Sequence, residues 1–408
     1  MICRHCQAEL RLNFLDLGCA PPSNAYLSAA ALRAPEIWYP LRVLVCESCW
    51  LVQTDDHAGR EALFAGDYAY FSSFSSSWLA HAKAYVEVMA SRFELDTSSH
   101  VVEVASNDGY LLQFVKATGI SCLGIEPTTG TAAAARKKGI EVVEEFFGVA
   151  LATRLVSEGR SADLMVANNV LAHVPDINDF VAGFARLLKP QGVATFEFPH
   201  LLRLVEGCQF DTIYHEHFSY LSFAAVETVF EKNGLRVFDV EDLPTHGGSL
   251  RVFAQRRDGG SHGPTPAVAR LRDVESSAGV ATVSYYTGFQ SRAERVKDDL
   301  LAFLVESKRA GKRVTAYGAA AKGNTLLNFA GVRPDLVSWV VDRNPAKKDK
   351  FLPGSRIPVV DEARLQTERP DYVLVLPWNL RLEISEQLNY VRSWGAKLVT
   401  AVPSLEVS

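Results

Sequence analysis

The chain has 408 residues, 48% of them hydrophobic, enough for two or three domains with their own cores. With 42 basic against 47 acidic residues the formal net charge is −5, which excludes an overall electrostatic grip on nucleic acid, although a local basic pocket can still hold a diphosphate. No stretch approaches the ~18 apolar residues of a membrane span, and the start MICRHCQAEL lacks the apolar run of a secretory signal, so a cytoplasmic protein with no nucleic-acid or membrane partner is expected.

The first region, 1–65, reads as short extended pieces around two CxxC knuckles, Cys3 with Cys6 and Cys46 with Cys49. Thiolates suit tetrahedral zinc, and two intervening residues let both sulfurs of a pair face one ion. Four sulfurs leave no position for water or substrate, so the zinc is expected to be structural. A redox CxxC normally stands as one pair in a thioredoxin-like setting, which two pairs do not match. His5 lies inside the first knuckle and is expected beside the metal shell rather than in it; Cys19, Cys122 and Cys208 are assigned to packing.

The segment YFSSFSSSW, Tyr70 to Trp78, mixes rings and hydroxyls without a core period. It reads equally as cover for a ligand or as a surface helix cap. Across 66–257, strand-like runs (His100 to Ala105, Cys122 to Glu126, Asp163 to Asn168, Gly192 to Glu197) alternate with helical patterns, as in a doubly wound, mainly parallel α/β sheet. The first of these runs into the turn SNDGYLLQF. There Glu103, Ala105, Asn107 and Gly109 stand where methyltransferases place an acidic residue and alternating glycines, with Ser106 and Tyr110 in the same turn. Glu126, followed by Pro127, ends the second strand, where a carboxylate can accept from both ribose hydroxyls; Asn168 and Asn169 end the fourth. Together these strand ends read as a pocket for S-adenosylmethionine. An NAD site would call for GxGxxG, and this turn has one glycine.

The densest chemical segment is FDTIYHEHFSYLS, with Tyr214, His215, Glu216 and His217 adjacent. If extended, it puts Tyr214 and Glu216 on one face and both histidines on the other; a turn or helix changes that grouping. HEH lacks the HExxH spacing of a zinc protease. His173, in NNVLAHVPD, follows the fourth strand and is expected near the methyl sulfonium. PTHGGSLR places His246, Ser249 and Arg251 around two glycines suited to close backbone approach.

The final region, 258–408, opens on a Gly, Ser and Pro linker (Asp258 to Pro266) and a helical stretch (Val268 to Ala310). A second alternation follows, with strands expected at Lys312 to Tyr317, Val337 to Asp342, Asp371 to Leu376 and Lys397 to Ala401: a second Rossmann-like unit. VTAYGAAAKGN reads as strand, turn and helix whose amides can meet a diphosphate, with Lys322 and Asn324 expected beside the phosphates. Gly318, Ala320 and Gly323 approximate GxGxxG, and Asp342 ends the second strand, so a nicotinamide-dependent sugar oxidoreductase is a rival reading. A non-catalytic zinc-knuckle binding module is another.

Taken in order, the paired knuckles, DLGCAPPSNAYL, YFSSFSSSW, VEVASNDGYLL, YHEHFSYLS, THGGSLR and YGAAAKGNTLLNF resemble the sugar C-methyltransferases of deoxysugar biosynthesis, such as the 3-C-methyltransferase of the tetronitrose pathway. The similarity covers essentially the whole chain. It implies a zinc-binding amino-terminal domain, a central S-adenosylmethionine domain and a carboxy-terminal Rossmann-like domain that helps hold a nucleotide sugar. It implies His217 as base, with Tyr214, Glu216 and His173 lining the reacting sugar; donor contacts from Tyr70 and Ser73; and nucleotide-sugar contacts from His246, Ser249, Arg251, Tyr317, Lys322 and Asn324. The expected substrate is a nucleotide-linked, dTDP foremost, 4-keto-deoxysugar methylated at carbon 3. A monomer is the working expectation.

Overall fold

A computed structural model describes residues 1–57 and 71–408. The boundary expected at 65/66 and Tyr70 lie outside the described residues. Three sheets organise the rest. The first is antiparallel, built from β1 (Leu12–Ala20), β2 (Tyr39–Val45) and β3 (Val52–Thr54). The second has seven strands. Its parallel part runs β6 (Glu141–Val143), β5 (Ser121–Ile125), β4 (His100–Val104), β7 (Ala162–Asn168) and β8 (Leu188–Pro199). β9 (Ser219–Tyr220) leaves this unit and pairs with β3, so the segment expected to carry the chemistry becomes the fourth strand of the amino-terminal sheet. β10 (Leu235–Leu243) and β11 (Ser249–Arg256) return antiparallel against β8.

The third sheet has the order β14 (Val359–Val360), β13 (Val340–Val341), β12 (Val314–Tyr317), β15 (Tyr372–Val375), β16 (Lys397–Thr400) and β17 (Glu406–Val407), parallel except for the last. The two strands at its centre, β12 and β15, are apolar apart from the buried Thr315, as strands covered on two faces tend to be. The strand expected over Val337 to Asp342 shortens to two paired residues, because only Val340 and Val341 find ladder partners on both sides.

The units share their cores. Phe14, Leu41 and Val43 of the first sheet, Tyr286 and Phe289 of the long helical stretch, and Leu326 and Leu374 of the third unit form one buried cluster, with Phe14 stacked on Phe289 at 4.5 Å. The expected helical stretch divides into helices Pro266–Ala278, Val283–Tyr286 and Phe289–Arg309. Pro266 starts the first, where its missing N–H costs nothing, and Gly279 ends it in the left-handed region. Val268 and Leu271 of that helix pack with the central core rather than with the third unit. No described helix is long and apolar enough to cross a membrane.

Candidate active site and zinc centre

The amino-terminal turns repeat one geometry. Gln7 N–H donates to Cys3 O at 3.0 Å and Trp50 N–H to Cys46 O at 2.8 Å, with Gln7 and Trp50 both at positive φ. Each turn brings its two sulfurs to the same side. Cys3 and Cys49 Sγ lie 3.6 Å apart, Cys6 and Cys46 Sγ 3.4 Å, and all four within 4.8 Å of one another. Zn–S bonds of about 2.3 Å give tetrahedral edges of roughly 3.8 Å, so the donor set fits the ion. His5 is not part of the set: its ring donates to Asn178 Oδ1 at 2.7 Å, and Asn178 Nδ2 returns a bond to His5 O at 2.9 Å. Packing describes Cys208, which is buried, but not Cys19, which faces outward on β1 and is exposed.

At the carboxyl edge of the central sheet the chain turns after β4 with Ala105, Asn107 and Gly109 all at positive φ (57°, 50° and 73°). The alternation of left-handed residues that glycines normally supply is kept by an alanine and an asparagine. Only Gly109 is sterically obligatory, since a Cβ there would stand 2.3 Å from Ile140 Cδ1. Glu126 binds this turn, accepting from Asn107 N–H at 2.9 Å and from Thr128 N–H at 2.9 Å.

Glu103 and Asn168 are buried at the ends of β4 and β7, and no oxygen or nitrogen of either side chain has a hydrogen-bond partner; Ser106 Oγ and Asn169 Oδ1 share this condition. Burial pushes the Glu103 carboxyl well above the usual range, against the pull of the nearby Tyr110 hydroxyl. Unpartnered buried polar atoms are costly and cluster where a ligand completes the set. This rim of unpartnered polar atoms fits an adenosyl ligand. Ser106 itself points back at Gly124, where a Cβ would meet its Oγ at 2.4 Å.

The segment after the undescribed residues does lie over this turn. Ser72 N–H donates to Asn107 Oδ1 at 2.9 Å and Lys138 Nζ to Ser73 Oγ at 2.7 Å. Trp78 opens the helix Ser76–Arg92 and stacks on His81 (4.8 Å), Tyr110 (5.9 Å) and, edge-on, His246 (5.4 Å). His81 in turn donates to Glu197 at 2.9 Å, and Glu197 is also held by Arg251 at 2.6 Å.

Tyr214 to His217 form a turn, closed by His217 N–H to Tyr214 O at 2.9 Å. The turn separates the two histidines that an extended strand would put on one face. His215 points away, its Nε2 between Tyr39 O and Pro40 O (3.3 and 3.2 Å). His217 lies under the Tyr214 ring at 3.9 Å and 4.6 Å from the ring of His173. Its Nδ1 meets Thr212 O at 2.8 Å; a carbonyl only accepts, so the proton is on Nδ1 and the free lone pair on Nε2. His173 Nδ1 meets Glu216 O at 2.8 Å, so its proton is on Nδ1 as well. Burial, then the neighbouring His173, lowers the His217 pKa well below its ordinary value, and burial lowers that of His173 to about 4. Glu216 goes the other way, lifted by burial to about 7 although Asn24 Nδ2 donates to it at 2.6 Å.

The third unit meets this turn through helix Ala321–Phe329. Thr325 Oγ1 donates to Ile213 O at 2.9 Å. Lys322 is half-buried above the Trp378 ring (4.7 Å) and donates to Asn379 Oδ1 at 2.7 Å, while Trp378 Nε1 donates to Asp211 Oδ2 at 2.8 Å. Burial raises Asp211 to about 6 and lowers Lys322, each partly opposed by the other. The THGG turn closes the same space: His246 is lowered to about 4, by burial first and then by Lys322, and a Cβ on Gly247 would strike Trp378 at 2.6 Å.

Other expected substrate residues are held by the protein itself. Arg251 binds Glu197 and Glu241, Ser249 Oγ donates to Thr245 O, Asn324 Nδ2 donates to Ser23 O, and the Tyr317 hydroxyl faces Gln387 at 3.5 Å. Asp342, which a dinucleotide reader needs for a ribose, accepts from Ala319 N–H and Asn344 N–H, both at 2.8 Å. The sequence reading missed Asn24, Trp78, His81, Glu197, Asp211 and Trp378. Asn24, Trp78, Glu197 and Asp211 lie in segments the sequence singled out (DLGCAPPSNAYL, YFSSFSSSW, the strand ending at Glu197 and FDTIYHEH); His81 and Trp378 reach the site from elements with no such signal.

Family comparisons agree with this three-part layout. Residues 3–64 match a zinc binding domain, 79–240 a methyltransferase domain and 244–403 the C-methyltransferase C-terminal domain. The chain is 33% identical over 405 residues to the C-methyltransferase NovU of Streptomyces niveus, covering 99% of this chain and 96% of that protein. The chain belongs to the C-methyltransferase family. S-adenosylmethionine is the donor of this C-methyltransferase, and the four cysteines are its zinc site. Among solved structures, the PH0226 protein of Pyrococcus horikoshii is similar at 14% identity and a TM-score of 0.39, over 46% of this chain and 95% of that one. Magnesium protoporphyrin IX methyltransferase of Synechocystis, solved with SAH, is similar at 14% identity and 0.35, over 44% and 83%.

Proposed function

We propose that the enzyme methylates the ring carbon beside the ketone, carbon 3, of a nucleotide-linked 4-keto-deoxysugar, with dTDP the expected nucleotide. The observation that carries this reading is the His217 imidazole, whose Nδ1–H is committed to Thr212 O and whose Nε2 lone pair is left free where the central, amino-terminal and carboxy-terminal units meet. A saturated sugar carbon is no nucleophile, but a neighbouring ketone acidifies its C–H. His217 Nε2 takes that proton, and the C–H electron pair passes into the enolate. An imidazole with a depressed pKa is a reluctant acceptor; imidazolium and enolate form together, as an ion pair in a site of low polarity, and this offsets the reluctance.

His173 has its own proton on Nδ1, turned toward Glu216 O, so its Nε2 accepts rather than donates. Enolate stabilisation therefore falls to the Tyr214 hydroxyl or to Glu216, which at about 7 holds a proton part of the time at neutral pH. The donor, when bound, would supply its sulfonium methyl group to the enolate carbon, the S–CH3 bond breaking to leave the neutral thioether of S-adenosylhomocysteine. Lys322 and the amino-terminal turn of helix Ala321–Phe329 offer the diphosphate a cation and free amides.

The test is a 4-keto nucleotide sugar deuterated beside the ketone, incubated with enzyme and the demethylated donor product. Deuterium washes out with wild type and stays with His217→Asn; retention of deuterium with wild type, or methylation on oxygen when S-adenosylmethionine replaces the product, sinks the reading.

A further inference from the structure

We infer that Arg4, inside the first zinc knuckle, is a positioning residue that sets His173 and His217 against each other. The inference rests on the reading of His217 as the base, with the His173 ring packed against it at 4.6 Å. The Arg4 guanidinium bridges two loops: Nη2 donates to Thr54 O at 2.8 Å and Nη1 to Pro175 O at 3.3 Å, with Cζ 5.3 Å above the Phe218 ring. Each loop carries one histidine. Thr54 ends β3, and its Oγ1 donates to His217 O at 3.0 Å while its N–H donates to Phe218 O at 3.2 Å. Pro175 stands two residues beyond His173, and Phe218 N–H closes the circuit on Ala172 O at 2.7 Å.

Arg4 is itself fixed from the metal side. Cys3 and Cys6 flank it, its N–H donates to Gln53 Oε1 at 2.9 Å, and Gln53 Nε2 reaches Cys3 Sγ at 3.3 Å. A planar fork with donors on separate nitrogens holds two carbonyls at a set distance, which a flexible ammonium does not. The zinc-bound knuckle thereby acts on the reaction through the backbone of the catalytic turn. It does more than close the amino-terminal fold.

The test compares Arg4→Met, which keeps the apolar stem and loses both bridges, with Arg4→Lys and with Thr54→Val, which cuts only the bond to His217 O. In Arg4→Met, zinc content and S-adenosylhomocysteine affinity stay within about twofold of wild type and KM within threefold, while kcat falls on the order of 10- to 100-fold, the cost of a misplacement of about 1 Å. Arg4→Lys recovers part of that loss, and Thr54→Val falls between wild type and Arg4→Met. A crystal of Arg4→Met with S-adenosylhomocysteine shows the His173 and His217 rings displaced from their 4.6 Å separation. Unchanged kcat in Arg4→Met, or unchanged ring separation, overturns the inference. So does zinc loss in Arg4→Met matched by full activity in Thr54→Val. If instead His217→Asn retains wild-type turnover, the base assignment falls, and the crystal comparison still tests the positioning by itself.

Discussion

After β4 the backbone turns through Ala105, Asn107 and Gly109 and leaves Glu103 and Asn168 with buried atoms unpartnered. After β12 it turns through Gly318 and Ala319, but here residues far along the chain close the turn. Ala319 N–H is taken by Asp342, and its carbonyl by the Tyr26 hydroxyl (2.5 Å) and Lys347 (2.7 Å). The strap that carries Tyr26 also supplies Ser23 to Asn324 and Asn24 to Glu216. Two units with the same strand, turn and helix thus do different work. The central one leaves buried polar atoms of its loop unpartnered, while the carboxy-terminal one spends its loop on holding the zinc domain's strap and turns Lys322 and Trp378 toward Asp211, just ahead of the Tyr214–His217 turn.

The sharpest cut lies where the two units meet. His217→Asn should lower kcat by roughly 10²- to 10⁴-fold, the usual worth of a general base, with S-adenosylhomocysteine affinity unaltered by calorimetry. Equal turnover would leave the meeting point without chemistry. Cys46→Ser comes next: one ligand fewer should cost zinc, read by elemental analysis, and about 5 °C or more of thermal midpoint. Because the strap belongs to the zinc region, nucleotide-sugar affinity should fall further than donor affinity in this variant.

A titration addresses the seam between the units. His173 and His246 are held near 4, below the ordinary histidine value, so the fold prefers their neutral forms. Their stabilising contribution is full above about pH 6.5 and is lost as pH falls towards 4, by roughly 1 to 2 kcal/mol each at pH 5. Urea unfolding from pH 7.5 to 5 should show this slope, and His246→Asn should flatten it.

The smallest effect is the most direct comparison of the loops. Gly109 and Gly318 both sit at positive φ, and an added Cβ meets Ile140 Cδ1 at 2.3 Å in one and Pro377 Cδ at 2.5 Å in the other. Gly109→Ala should weaken S-adenosylhomocysteine about tenfold and leave nucleoside diphosphate binding in place, and Gly318→Ala the reverse, each tenfold step being about 1.4 kcal/mol. Identical profiles for the two variants would erase the distinction.

Local chemistry was enough for the sequence to determine the two cysteine knuckles, the parallel strands β4, β5, β7, β8, β12, β15 and β16, the acidic-then-small turn after β4 and the family to which the order of motifs points. Apolar runs, CxxC spacing and turn residues act over a few neighbours, so they can be read along the chain. Tertiary structure decided the rest. Whether Tyr214 to His217 was strand or turn depended on β9 joining β3, more than 160 residues away, and on carbonyls at Thr212 and Glu216 that set which imidazole nitrogen is bare. Asn24, Asp211 and Trp378 reach one space from three elements, and Arg251, which looks like an anion binder in THGGSLR, is consumed by Glu197 and Glu241. Partners distant in sequence leave no periodic trace, and a buried polar side chain takes its role from whichever group satisfies it.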